Sequence, residues 1–544
     1  MKITNPILPG YNPDPSLIRV GDDYYVATST FEWFPGVRIH HSRDLKNWEL
    51  VALPLNTTKL LNMKGNGDGG GVWAPCLSYY EGKFYLVYSD MKTEDSSAFR
   101  DGHNYLTTAT DIKGPWSDPI FLNSSGFDAS LFHDDDGRKY YVNQLWDHRV
   151  GHHWAYGIVM QEYSEAEGKL IGKPQVIWKG TPVGMTEGPH LYKKDGYYYL
   201  MCAEGGTDYH HSEIMARSRN VWGPYEVDPE GAFLTAAFSP TNPLQKCGHA
   251  SLFQATTGDW YIAHLMGRPL ELGRKPILDL GMKGNCPLGR ETSLQQIEWV
   301  NGWPRVVGGK AGQLTIEGPN VPEVTFAPTW PGKDDFDSDK LNIQFQSLRI
   351  PLTEQMATLK ERPGFLRIYG HESLASYHTQ ALVARRWTDF NFDAQTSVEF
   401  NPDTFQQLAG LTCFYNRNNF TFIFVSWDEE KGRCIDVLGR SIRRYYAPLN
   451  NKVIPIPDEV KSVHFKVEVR HDTYRYLYSF DGQNFTAIPY DFKSGELSDD
   501  HILRNGSGTF FTGAFVGITC IDMQGTHLPA DFDYFSYEAV APQA

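Results

Sequence analysis

Asn12-Pro13-Asp14-Pro15-Ser16-Leu17 opens a unit of about sixty residues that the chain repeats four more times. Each copy carries a residue that is often acidic, a short spacer, a leucine, a turn, and an aromatic-aromatic-aliphatic run. The first copy passes from Asp14 through Leu17 to Tyr24-Tyr25-Val26, and the second from Trp73-Ala74-Pro75 through Leu77 to Phe84-Tyr85-Leu86. The third runs from Asp128 through Leu131 to Tyr140-Tyr141-Val142, and the fourth from Glu187 through Leu191 to Tyr198-Tyr199-Leu200. The fifth runs from His249 through Leu252 to Trp260-Tyr261-Ile262. Successive leucines lie 60, 54, 60 and 61 residues apart, and so regular a period marks stacked or radial units.

A strand, a turn with Gly or Asp and an aromatic-rich strand make a hairpin, and the period leaves room for four short strands. Four strands are one propeller blade. Polar turns ending in tryptophan echo the same period, at Trp48, Trp116 and Trp222. The predicted fold is therefore all-β, with a five-bladed β-propeller over residues 1–322. Pro322, Pro328 and Pro331 mark a connector. Beyond it, over residues 333–544, the repeat is replaced by alternating strands such as Val463-His464-Phe465-Lys466-Val467-Glu468-Val469, with Asp481-Gly482 as a hairpin turn. This second part reads as a β-sandwich of jelly-roll type. Two domains also suit 544 residues, more than one core usually serves.

The net charge of -15 argues against nucleic acid or an anionic membrane surface as partner, since both call for a basic face. A neutral substrate fits better, and the wealth of tyrosine and tryptophan suits a sugar-binding cleft as well as a core. The seven cysteines are scattered without a CxxC pair, which points to reduced thiols and away from a disulfide framework or zinc site. Met1-Lys2-Ile3-Thr4-Asn5-Pro6 carries no apolar leader and no later run approaches membrane-spanning length, so a cytoplasmic location is expected. Gly65-Asn66-Gly67-Asp68-Gly69-Gly70 satisfies GxGxxG but lacks the strand-to-helix setting of a dinucleotide site. The pairs His40-His41, His152-His153 and His210-His211 lack metal-ligand spacing.

In a propeller the first strand of every blade lines the axis, so Asp14, Trp73 or Ala74, Asp128, Glu187 and His249 are expected to face one another. Acids are 65 of 544 residues, which makes three carboxylates among five equivalent positions more than a set of turn caps. Crowding and lost water oppose ionisation, so one such pit can hold a proton donor and a base at the same pH. Glycosidic bond cleavage needs that pair.

Asn12-Pro13-Asp14-Pro15-Ser16, Trp73-Ala74-Pro75, Asp128-Ala129-Ser130, Thr186-Glu187-Gly188-Pro189 and Gly248-His249-Ala250-Ser251 resemble the blade-opening motifs of glycoside hydrolase family 43. Phe510-Phe511-Thr512-Gly513-Ala514-Phe515-Val516-Gly517 narrows the resemblance to its two-domain β-xylosidase group. The resemblance implies that Asp14 is the general base, Glu187 the general acid and Asp128 the residue that orients Glu187 and modulates its pKa. It implies inversion at the anomeric carbon, with exo-acting release of xylose from the non-reducing end of small β-1,4-xylooligosaccharides.

It further implies that Arg290 binds sugar hydroxyls, that Phe31 and Trp73 wall the terminal subsite, and that Phe510 or Phe511 closes the pocket, strand parity turning one of the two inward. Trp146 is a candidate for stacking on the leaving sugar. Thr207 lies on the loop Glu204-Gly205-Gly206-Thr207, whose glycines allow a backbone to approach the sugar. His249 reads either as a buried, hydrogen-bonded histidine or, as in some relatives, as the neighbour of a Ca2+ or other ion on the axis; no cofactor is required. A homo-oligomer, dimer or tetramer, is implied. The nearest alternative activity is α-L-arabinofuranosidase, alone or alongside the xylosidase. A retaining fructosidase would need an Asn-Asp-Pro motif where this chain has Asn12-Pro13-Asp14, and a non-catalytic sugar-binding protein would not need the acid triad.

Overall fold

The computed structural model describes residues 1–541 apart from 94–97, 271–283, 443 and 507–509. It divides into two units, Met1–Gly284 with Arg290–Ala327, and Asn285–Gly289 with Pro328–Ala544.

In the first unit each repeat folds into an antiparallel sheet with four strands in sequence order, and in blade four the short strand Leu234–Thr235 also pairs with the third. The innermost strands are Ser16–Val20, Gly71–Tyr80, Gly126–His133, Glu187–Lys194 and Gln245–Gln254. A glycine with positive φ makes the turn into the second strand of every blade, at Gly21, Gly82, Gly137, Gly196 and Gly258.

The repeated leucine explains why the blades assemble. Leu77 packs with Ala27 and Ile39 of blade one, Leu131 with Tyr85 and Val87 of blade two, and Leu191 with Tyr140 and Val142 of blade three. Leu252 packs with Tyr199 and Met201 of blade four, and Leu17 closes the ring against Phe253 and Tyr261 of blade five. Each leucine thus fills the strands of the preceding blade, a burial worth about 1.5–3 kcal/mol apiece.

Polar bonds set the register between blades. Ser16 Oγ accepts from Leu77 N at 2.9 Å, Ser130 Oγ donates to Pro189 O at 2.5 Å, and Ser251 Oγ accepts from Leu17 N at 2.8 Å. Tyr192 OH accepts from Leu252 N at 2.8 Å.

The two ends of the propeller sequence meet. Lys2–Thr4 pairs with Thr315–Glu317, and the segment leading to Asp14 runs beside the third strand of blade five. There Asn12 N donates to Arg290 O at 3.0 Å and Thr292 Oγ1 donates to Asn12 O at 2.6 Å. This pairing brings Arg290 beside Asp14 across most of the domain's sequence.

Residues past 322 still pack on blade one. Val324 N donates to Asp44 Oδ2 at 2.8 Å, and the Phe326 ring lies 5.6 Å from that of His41.

The second unit is a sandwich of a nine-stranded and a seven-stranded antiparallel sheet. Their facing apolar residues, among them Phe392, Val398, Leu411, Ile423, Phe465, Val467, Ile518 and Phe532, form one core. Ser462–Arg470 alternates between buried and half-buried along its whole length, as a strand with one covered face must. Asp481-Gly482 sits in a six-residue loop between Thr473–Ser479 and Thr486–Ala487, longer than a two-residue hairpin. Asp481 Oδ1 braces that loop by accepting from the amides of Gln483 and Asn484, both at 2.8 Å. Residues 285–289 complete this unit: Cys286 N donates to Asp500 Oδ2 at 2.9 Å, Ala514 N donates to Pro287 O at 2.8 Å, and Leu288 enters the sandwich core.

Helix among the described residues is limited to Ser494–Glu496 and Asp499–Arg504, and none is long and apolar enough to cross a membrane. All seven cysteines are free thiols and buried.

Candidate active site

In blades two to five the innermost strand breaks its ladder near its start. Trp73 pairs with Ser89, Phe127 with Gln144, Glu187 with Ala203 and Gly248 with Leu265, and the register then slips. The residue after each of these has positive φ: Ala74 (29°), Asp128 (54°), Gly188 (59°) and His249 (50°). Asp14 is the blade-one counterpart, at 54°. A bulge with a left-handed residue re-aims the side chains around it, and such strain gathers at functional sites.

This backbone register corrects the expectation of three acids at one position. Asp14 and Asp128 are left-handed bulge residues, whereas Glu187 stands one residue earlier, equivalent to Trp73 and Phe127, and Gly188 takes the left-handed place. The three carboxyls converge nevertheless. They are 4%, 7% and 8% exposed for Asp14, Asp128 and Glu187, so each must be neutralised or bonded.

Asp14 is held from both sides. Ser29 Oγ donates to its Oδ2 at 2.6 Å, and Arg290 Nη1, itself 2% exposed, donates to Oδ1 at 3.1 Å. His249 Nδ1 lies 3.7 Å from the same Oδ1. Burial pushes the His249 pKa down, which Asp14 opposes and Arg290 reinforces. Asp128 accepts from Gly188 N at 3.1 Å, so its carboxylate grips the amide that follows Glu187. Burial, then the charges of Glu187 and Asp14, hold the Asp128 carboxyl well above the usual range. The Glu187 carboxyl makes no hydrogen bond among the described residues, and burial followed by the nearby Asp14 charge pushes its pKa up to about 8.

Aromatic rings stand beside the acids. Phe31 pairs its backbone with Val72, and its ring lies 5.7 Å from Trp73 and 6.1 Å from Tyr11. The Arg290 guanidinium covers Phe31 at 5.1 Å. Trp73 continues to Phe127 at 5.2 Å, and Trp146 joins through Phe127 at 6.4 Å and Trp154 at 5.0 Å. Thr207 is half-buried on its loop, where Gly205 N donates to Gly184 O at 3.0 Å.

Phe510 and Phe511 belong to the second unit, with ring centroids 4.3 Å apart. Strand alternation does not select between them, because the strand begins only at Phe515 and Phe511 has a φ of 96°.

Sequence reading missed Ser29, Tyr11, Phe127, Trp154 and Arg100. Phe127 could have been found from its place before Asp128, matching Trp73. Arg100 lies outside the repeat, yet its guanidinium sits 4.3 Å from the Trp146 ring and lowers the Glu187 pKa against the larger effect of burial.

Among the described residues no group of three or more His, Cys, Asp or Glu side chains could hold a metal ion. Around His249 the nearby carboxylate already takes Arg290, and a Cβ on Gly188 would come within 3.1 Å of the imidazole. No chemical step is assigned to a cation at this place.

Two buried carboxyls of opposite circumstance, Asp14 bonded on both oxygens and Glu187 with no side-chain bond and a raised pKa, are the kind of acid and base pair that glycosidic bond hydrolysis uses. The family model "Glycosyl hydrolases family 43" matches residues 3–304, and "Beta xylosidase C-terminal Concanavalin A-like domain" matches residues 333–538. The chain belongs to glycosyl hydrolase family 43.

It is 54% identical to a β-xylosidase of Bacillus subtilis, over 99% of this chain and 100% of that protein. The crystal structure of a xylan β-1,4-xylosidase from Bacillus halodurans superposes with a TM-score of 0.93 at 49% identity, covering 98% of this chain and 100% of that one. A non-reducing end α-L-arabinofuranosidase of Bacteroides ovatus is 31% identical, over 98% of this chain and 94% of that protein.

Proposed function

We propose that the protein is an exo-acting, inverting β-1,4-xylosidase that releases xylose from the non-reducing end of xylooligosaccharides. The observation that carries this reading is the contrast between Asp14, bonded on both oxygens, and Glu187, unbonded and raised to about 8. Two carboxyls whose environments differ in this way divide into base and acid.

Glu187 donates its proton to the glycosidic oxygen as the bond to C1 breaks. Asp14 accepts a proton from the water that attacks C1 on the opposite face, and solvent exchange returns both groups to their starting states. In an inverting enzyme these carboxyls stand roughly 6.5–9.5 Å apart to admit that water. Asp128 holds the Gly188 amide and so fixes the start of the Glu187 strand. Arg290 and His249 orient Asp14, with Arg290 also reaching sugar hydroxyls. Phe31 and Trp73 wall the terminal subsite, Trp146 stacks on the leaving sugar, and Thr207 lies on the loop that approaches it. The similarity to a Bacillus β-xylosidase over the whole chain supports the substrate, and the more distant Bacteroides arabinofuranosidase supports a second, slower activity.

Rates on nitrophenyl β-xyloside and nitrophenyl α-arabinofuranoside test the substrate directly. The xyloside is expected to turn over faster, and a preference for the arabinofuranoside would reverse the assignment.

The acid also sets a pH limit. Glu187 works only while protonated, so kcat/KM on xylobiose is expected to fall as pH rises through about 8. A descending limb unchanged in Glu187→Gln would assign that limb to another group.

A further inference from the structure

We propose that Glu204 is a positioning residue for the proton donor, holding Glu187 in place through Thr186; this rests on the reading of Glu187 as the acid. Glu204 ends the second strand of blade four and is 1% exposed. A carboxylate so deep needs donors, and it finds them in the segment leading into Glu187. Thr181 N donates to Oε1 at 2.7 Å, Thr186 Oγ1 donates to Oε1 at 2.8 Å, and Thr181 Oγ1 donates to Oε2. Thr186 immediately precedes Glu187, while Ala203, next to Glu204, is the cross-strand partner of Glu187. The carboxylate therefore ties the segment that leads into the donor to the end of the strand that pairs with it.

The segment needs such a grip. Its backbone is left-handed at Gly180, Gly184 and Met185, with φ of 79°, 76° and 54°, which no regular ladder stabilises. In blade two the residue at the place of Thr186 is Val72, fixed by backbone pairing to Phe31. In blade four a side-chain bond to a buried carboxylate does that work. The fit is close enough that a Cβ on Gly180 would lie 1.8 Å from Thr186 Oγ1 and 2.8 Å from Glu204 Oε1. Glu204 touches no reacting atom in this scheme; it limits the wander of the group that does, and small displacements of a proton donor are costly.

The test compares Glu204→Gln, Thr186→Val and Glu187→Gln on xylobiose, whose leaving sugar must be protonated, and on dinitrophenyl β-xyloside, whose phenolate departs unaided. Glu204→Gln and Thr186→Val are expected to lose about tenfold in kcat on xylobiose, part of the roughly 10²–10⁴-fold that general acid catalysis supplies, and less than about twofold on the dinitrophenyl substrate. Thr186→Val carries the test if Glu204→Gln does not fold. Equal losses on both substrates, or none on either, in Thr186→Val would overturn the inference. If Glu187→Gln itself loses equally on both, the assignment of the acid fails instead, so the two failures are told apart.

Discussion

Asp14→Ala is expected to lower kcat by about 10³-fold on every β-xyloside, whatever its leaving group, near the middle of the range for a lost general base. The water must give up its proton whether the departing group is a sugar or a phenolate, so a better leaving group cannot rescue this variant. Removing Asp14 also leaves Arg290, buried and bonded to it, without that carboxylate. The variant should therefore lose some stability as well, because breaking a buried pair exposes the charge that remains. Parallel measurement of kcat and of the thermal midpoint separates the two effects. A fully folded Asp14→Ala enzyme with near-native turnover would remove Asp14 from the chemistry.

Glu187→Ala is expected to behave differently. On xylobiose its kcat should fall by about 10²–10⁴-fold, whereas on dinitrophenyl β-xyloside most of the rate should survive. Proton donation matters only in proportion to how poorly the leaving oxygen bears charge. The descending limb of the pH profile near 8 should disappear with the side chain that causes it. Loss of the same size on both substrates would mean that Glu187 supports the site without donating a proton.

The five blades were legible because their packing imposes a period: each copy must supply a leucine that fits the preceding blade, and so Leu17, Leu77, Leu131, Leu191 and Leu252 recur. The three carboxyls were legible for the same reason, standing close to the residue the period marks. Their register was not. A bulge is a backbone event: Asp, His and above all Gly tolerate the left-handed place, yet aligning on the acid put Glu187 there in place of Gly188. Glu187 was accordingly aligned with Asp14 and Asp128 when it aligns with Trp73 and Phe127. Glu204 was read with its glycine-rich loop, while its carboxylate faces back into the fold toward Thr181 and Thr186. Residues 285–289 sit between two strands of blade five, so sequence order hides that they complete the sandwich core.

Proton NMR of the sugar at the moment of release examines the division of labour between Asp14 and Glu187 without altering either residue. If one carboxyl activates water while the other protonates the departing oxygen, xylose must first appear as the α anomer and then mutarotate. Xylose appearing first as the β anomer would require a covalent sugar–enzyme intermediate and contradict the account.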